Sequence, residues 1–204
     1  FAGGHDYDLR VAGPGPQRAA ATAQDLVRSG CRGLLSWGVG GGLAPVLRAG
    51  DLLFSTHVTD ASGDKMEFEE YDFTPALKAG VHSDLLYRGI IYSSDKAITD
   101  VNEKAELHQR YKADVVDMES AAIARVAKQH GCEFVALRAV VDPANVNIPR
   151  CAISGLNDDG SVNLLATLRA LCAHPTELPA LIMLGVRFQR ALKTLKATAH
   201  ALAD

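Results

Sequence analysis

Residues 114 to 145, DVVDMESAAIARVAKQHGCEFVALRAVVDPAN, constrain this chain more than any other stretch, because they read as strand, helix and strand with an acid at each turn. Ile123, Val126 and Ala127 recur at helical spacing, and Gly131 stands where a helix begun near Glu119 should stop. Phe134 to Val141 is almost unbroken in apolarity, which predicts a strand covered on both faces. Glu119 falls at the helix start, where unpaired backbone donors and the macrodipole favour an ionised carboxylate aimed outward. Asp142 falls just past the strand's carboxyl end, the edge at which open α/β sheets bind ligands. On pattern alone, a Glu at a helix start is ordinary capping chemistry and Asp-Pro an ordinary turn. Chemically, the same pair suits a sugar that loses a base: ionised Glu119 can accept hydrogen bonds from a ribose diol, and Asp142, with a raised pKa, can protonate a departing purine.

A chain of 204 residues with 48% hydrophobic content can bury one substantial core, so a single globular domain over residues 1–204 is expected. The net charge is −3 and the 21 basic residues are dispersed, which argues against nucleic acid as the main partner. Cys31, Cys132, Cys151 and Cys172 form no CxxC pair and read as reduced packing residues, consistent with a cytoplasmic protein. The histidines show no metal-binding spacing, so neither a metal nor a cofactor is expected. The chain opens at Phe1 without a methionine or a signal-like apolar segment, and reads as a protein whose beginning is missing.

Along the chain, Tyr7 to Ala12 reads as a short strand, Gly13-Pro14-Gly15-Pro16 as the turn that ends it, and Gln17 to Ser29 as a helix stopped by Gly30. The prolines lack N–H groups, which weakens a phosphate-loop reading of that turn. Gly33 to Trp37 is the next strand, running into a glycine-rich loop at Gly38-Val39-Gly40-Gly41-Gly42. Leu43 stands where a dinucleotide fingerprint requires glycine, so the loop is a bend or a close approach to a ligand. Asp51 to Thr59 and Lys65 to Tyr71 form a strand and its hairpin partner; Glu67, Glu69, Glu70 and Asp72 read as a solvated surface. Leu85 to Ser93 is a strand, Val101 to Tyr111 a helix, the segment from Asn145 to Gly160 a loop, and Leu164 to Cys172 a helix. The last helix carries an apolar stripe of Leu181, Leu184, Phe188, Leu192, Leu195, Ala199 and Leu202, with Arg187, Arg190, Lys193 and Lys196 off it. Such a helix covers a sheet or a subunit contact, or, over residues 178–203, lies peripherally on an anionic membrane.

The motif Asp117-Met118-Glu119-Ser120 followed by Arg138-Ala139-Val140-Val141-Asp142, together with Ser36 to Leu43 and Gly50-Asp51-Leu52, resembles the purine nucleoside phosphorylase and methylthioadenosine nucleosidase superfamily. The Gly-Pro-Gly turn, the short middle region and Leu178-Pro179-Ala180-Leu181 are most similar to its hopanoid-associated nucleosidase or phosphorylase branch. The resemblance implies an α/β fold, a three-layer αβα sandwich around a mixed, partly barrel-like sheet, whose first strand would precede Phe1. It implies cleavage of the N-glycosidic bond of an adenine nucleoside, adenosylhopane in the hopanoid branch, by a homo-oligomer. Asp142 would be the general acid towards N7, Glu119 the holder of the diol and Met118 a contact of the sugar. Val39, Gly40 and Gly41 would line the ribose and base pocket, with Ile98 at the adenine edge; Ala97 stands where the superfamily commonly has a stacking aromatic.

Superfamily phosphorylases commonly hold phosphate with an arginine before the glycine-rich loop and a serine inside it. The matching residues here are Ser36 and Val39, which favours water over phosphate unless Arg18 or a neighbouring subunit supplies the charge. The water-positioning glutamate of the nucleosidases has no counterpart, since its strand would precede Phe1. Alternatives are a methylthioadenosine or adenosylhomocysteine nucleosidase, a purine nucleoside phosphorylase, and a non-catalytic nucleoside-binding protein on the same fold. The expected partner is therefore an adenine nucleoside, lipid-linked in the hopanoid reading, with phosphate joining it in the phosphorylase reading.

Overall fold

The computed structural model of the protein describes residues 8–69, 86–154 and 164–203. Its elements are α1 (Pro16–Arg28), β1 (Gly33–Gly42), β2 (Leu52–Asp60), β3 (Lys65–Glu67), β4 (Leu86–Ser93), α2 (Val101–Tyr111), β5 (Val115–Asp117), α3 (Ser120–His130), β6 (Glu133–Val140), α4 (Arg150–Ser154), α5 (Leu164–Ala173) and α6 (Leu178–Ala203). β1 lies parallel to β6 and antiparallel to β5; β6 is antiparallel to β2, and β2, β4 and β5 run parallel. Pairing of β2 with β6 closes the sheet into a mixed barrel, on which β3 is a hairpin extension of β2. β2 has a register irregularity between Phe54 and His57, where its neighbour on one side changes from β6 to β3.

Local chemistry places the helices much as expected. Asp100 caps α2, its carboxylate accepting from the N–H groups of Asn102 and Glu103 at 2.8 and 3.2 Å. Gly131 ends α3 in the left-handed conformation, φ 64°, a geometry that costs glycine little. α1 starts at Pro16, whose missing N–H would have had no helical partner there.

β6 is covered on both faces, as its composition predicts. Phe134, Ala136 and Val140 join Leu34, Leu53, Ile91 and Val115 in a cluster roofed by Ala23 of α1 and Ala121, Ala124 and Ala127 of α3. Val135, Leu137 and Ala139 face the other way, onto Leu52, Phe54 and Ala191 and Leu195 of α6. Helices thus flank the barrel on opposite sides, the expected layered α/β architecture. Full burial of each such aliphatic or aromatic side chain contributes about 1.5–3 kcal/mol.

Four sequence expectations differ from the structure. Within the predicted loop from Asn145 to Gly160, Arg150–Ser154 forms the short helix α4, which buries Cys151 and is held by the Cys151 N–H donating to Glu177 Oε2 at 2.9 Å, a partner 26 residues away. Residues 8–12 are irregular rather than a strand, with Leu9 and Val11 about nine-tenths exposed, because both edges of β1 are already taken by β5 and β6; Tyr7 lies outside the described residues. Gly38 to Gly42 is not a loop but the second half of β1. Its glycines let neighbouring strands close in: a methyl group on Gly40 would sit 2.7 Å from Val115 Cγ1 and 2.8 Å from the Val116 carbonyl. On α6 the residues buried against the barrel are Ala191, Leu195 and Thr198 with Leu184 beside them, whereas Phe188 and Ala199 are exposed. The far end of the predicted hairpin at Tyr71, with Glu70 and Asp72, the first residue of the Leu85 strand, and residues 155–160 of the predicted loop lie outside the described residues; Glu67 and Glu69 are exposed.

Gly40→Ala is expected to lower the unfolding free energy by about 1–3 kcal/mol, the usual cost of overpacking. Gly185→Ala, in open space on α6, should be neutral or stabilising by up to about 1 kcal/mol. Urea unfolding of the two variants tests this, and equal stability would mean that β5 yields to the methyl group without strain.

Candidate active site

Asp142 follows the end of β6 and is 5% exposed. The Gly42 N–H donates to the Asp142 carbonyl at 2.8 Å, and the carboxylate lies over Gly41, where an added methyl group would stand 3.2 and 3.4 Å from its two oxygens. Glycine at position 41 therefore gives the acid its space. Burial, the largest influence, pushes the Asp142 carboxyl above the ordinary aspartate range, against the opposing pull of Lys104 and Arg187. Lys104 Nζ donates to Asp142 Oδ2 at 2.5 Å, and this lysine is fully buried.

Glu119 does stand at the N-terminus of α3, but its side chain does not cap that helix. Its Oε1 accepts from the N–H of Gly15, 104 residues earlier, at 2.9 Å, and its Oε2 from the N–H of Met118 at 3.3 Å. The free N–H of Ser120 is satisfied instead by Asp117, at 3.1 Å to Oδ2. Glu119 thus faces the Gly13–Pro16 turn rather than open solvent. Met118 lines a polar cleft of about 240 Å³ with Pro16, Ser93, Asp95, Ala121 and Arg125, the last paired with Asp60.

Gly41 and Asp142 are in contact, and the Ile98 loop meets the Asp142 loop through an Ile148 N–H to Thr99 carbonyl bond of 2.9 Å. The Ile98 side chain itself packs with Leu43, Tyr92, Ala113 and Val116. Val39 lies on an apolar groove of about 450 Å³ between β1 and α6, with Trp37, Phe188, Leu192 and Leu195. Gly40 is held between β5 and Arg138. β5 and β6 both end beside Gly40 and Gly41, with Val116 opposite Gly41 and Val140 opposite Gly40; because the two strands run in opposite senses along β1, the chain leaves that stretch in opposite directions towards Glu119 and Asp142. No hydrogen bond joins these two acids among the described residues.

Two basic residues of the site escape sequence reasoning. Arg138 is 2% exposed inside the barrel; its Nε donates to Asp117 Oδ2 at 2.8 Å, its Nη2 to the same oxygen at 2.5 Å, to Ser36 Oγ at 2.7 Å and to Ser120 Oγ at 2.9 Å, and its Nη1 to the Ser36 carbonyl at 2.8 Å. A lone charge in the apolar run Phe134 to Val141 is the signal that marks it. Lys104, in the polar run Asn102-Glu103-Lys104, reads as an ordinary solvated helix residue and has no such signal. Among the described residues no cluster of His, Cys, Asp or Glu could hold a metal, the four cysteines are free, and no helix is long and apolar enough to cross a membrane.

This closed mixed barrel with flanking helices is the fold of an enzyme superfamily: the chain belongs to the phosphorylase superfamily, which matches residues 3–159. It is 28% identical over 161 residues to the 5'-methylthioadenosine/S-adenosylhomocysteine nucleosidase of Bacillus cytotoxicus, covering 69% of this chain and 70% of that protein. The structure is similar to the Campylobacter jejuni enzyme of the same name, with a TM-score of 0.57 and 25% identity over 77% of this chain and 74% of the other. It shares its fold with the futalosine hydrolase of Helicobacter pylori, with a TM-score of 0.61 and 21% identity over 93% and 77% of the two chains.

Removing Arg138 would leave Asp117 charged and unpaired in the barrel. Arg138→Met is expected to cost about 3–5 kcal/mol in a urea titration, the range for breaking a buried pair on one side. A loss below about 1 kcal/mol would show that water reaches Asp117.

Proposed function

We propose that this enzyme hydrolyses the N-glycosidic bond of an adenine nucleoside. The observation that carries the reading is the buried Asp142 carboxyl, held up in pKa and set against Gly41. As the bond from C1' to the base breaks, its electron pair passes to the purine, and protonated Asp142 donates to N7, so that adenine leaves neutral. The ribosyl centre becomes oxocarbenium-like and is attacked by water. Glu119 holds the diol, sharing with it the carboxylate that also receives the Gly15 N–H, and Met118 packs beside the sugar. Ile98 offers backbone groups to the adenine edge. The relatives named above, nucleosidases of methylthioadenosine and adenosylhomocysteine, support the chemistry.

Water is favoured over phosphate because neither residue at the matching positions brings a positive charge to a dianion. Ser36 is buried, with its hydroxyl oxygen accepting from Arg138, and Val39 contributes only hydrocarbon to an apolar groove.

For the 5' substituent, the apolar groove beside Val39 and the resemblance to the hopanoid branch favour a lipid-linked adenosine such as adenosylhopane; the relatives favour methylthioadenosine. α6 also presents Ile182, Met183, Val186 and Phe188 together with exposed Arg190, Lys193 and Lys196, a combination suited to an anionic lipid surface or a second subunit of a homo-oligomer.

Asp142→Asn is expected to lower kcat by about 10²–10⁴-fold, the worth of a positioned general acid. Glu119→Gln should lower kcat/KM by about ten- to 150-fold, equivalent to about 1.5–3 kcal/mol for a charged hydrogen-bond partner. Steady-state adenine release measures both, and wild-type rates in Asp142→Asn would remove the proposed acid.

Adenine release should proceed in phosphate-free buffer with free ribosyl product by mass, with a larger kcat/KM for an adenosyl lipid than for methylthioadenosine and flotation with anionic vesicles. Strict phosphate dependence with a 1-phosphate product would sink the hydrolase reading. Equal specificity constants would sink the lipid reading, and absent flotation the membrane role of α6.

A further inference from the structure

We propose that Lys104 is a positioning residue for this reaction, fixing the rotamer and the charge of Asp142 and tying the loop that carries the acid to the helix behind the base. The inference rests on the reading of Asp142 as the general acid.

Lys104 lies in the first turn of α2 and is wholly buried. A buried ammonium needs acceptors for three N–H groups. Lys104 finds them in Asp142 Oδ2 at 2.5 Å, the Val146 carbonyl at 2.8 Å and the Pro143 carbonyl at 3.1 Å. With every proton engaged, the ammonium has none left for a substrate and acts through Asp142. Oδ2 is occupied by the lysine, so Oδ1 is the oxygen turned over to the base. Two more bonds fasten the same loop: the Val101 N–H donates to Asn147 Oδ1 at 2.9 Å, and the Ile148 N–H to the Thr99 carbonyl at 2.9 Å. Residues 142–148 are thereby clamped to residues 99–104, directly after the segment assigned to adenine.

Two positive groups face Asp142, Lys104 from α2 and Arg187 from α6, and both favour the carboxylate, while burial favours the acid. The active form is the protonated one, so wild-type kcat/KM falls as pH rises through the Asp142 pKa. Loss of Lys104 removes the nearer positive charge and keeps Asp142 protonated to higher pH.

The test is the pH profile of adenine release by Lys104→Met and Lys104→Arg, with circular dichroism to establish the fold. In Lys104→Met the falling limb should move up by about 1–3 pH units, the effect of deleting an adjacent opposite charge. In Lys104→Arg, which keeps the charge, it should stay in place. A folded Lys104→Met whose limb coincides with that of the wild type overturns the proposal. Should Lys104→Met fail to fold, Lys104→Gln, which is uncharged but keeps amide donors of the kind the Pro143 and Val146 carbonyls accept, carries the same expectation, and an unmoved limb in that variant also overturns the proposal. Asp142→Asn separates the two readings. Wild-type adenine release there defeats the general acid itself, whereas an inactive Asp142→Asn with an unmoved limb in Lys104→Met defeats only the role of Lys104.

Discussion

How closely three backbones can approach at Gly40, Gly41 and Gly42 governs this structure. β1 is bonded to β6 on one side and to β5 on the other, and at Gly40 a single methyl group would run into both Val115 and the Val116 carbonyl. With no side chain at Gly40, β5 and β6 both pack against β1, and the sheet closes where β2 meets β6. The positions of Asp117, Arg138 and Asp142 follow from this closure. Each lies on a strand bonded to β1, or just past the end of one, and each packs over one of its glycines or across the barrel.

Two buried ion pairs then use the two cationic side chains differently. The planar guanidinium of Arg138 forks across Asp117 and reaches Ser36 and Ser120, joining β6, β5, β1 and α3 in one network inside the barrel. The compact ammonium of Lys104 gathers one carboxylate and two carbonyls of a single loop. The first arrangement braces the fold. The second sits at the acid, where the balance between burial and the facing positive charges sets which protonation state Asp142 holds.

The polar groups of the site also constrain one another. Asp117 satisfies the first N–H of α3, which releases Glu119 from capping and lets it reach the Gly13–Pro16 turn. Ser36 accepts from Arg138 through both its hydroxyl oxygen and its carbonyl, which ties β1 to the same buried guanidinium. Roles that look interchangeable along the chain are therefore separated by which partner is nearer in space.

Periodicity and punctuation determined much of this protein on their own. The α2 span, the strand β6 buried on both faces, the α3 stop at Gly131 and the Asp142 position after β6 could all be read from the chain, because each depends on residues within one or two turns of each other. The family could be read as well, from three motifs in order. Tertiary structure decided the rest. Gly38 to Gly42 reads as a loop until β5 and β6 supply the neighbours that make glycine a packing requirement in a strand. Lys104 is solvated by its local sequence and buried by its contact with residues 38 to 42 positions away, while Glu119 is drawn to an N–H 104 positions away. Local sequence specifies elements through short-range backbone preferences, but the partner of a buried charge is chosen by closure of the sheet, which brings together groups that no spacing along the chain reveals.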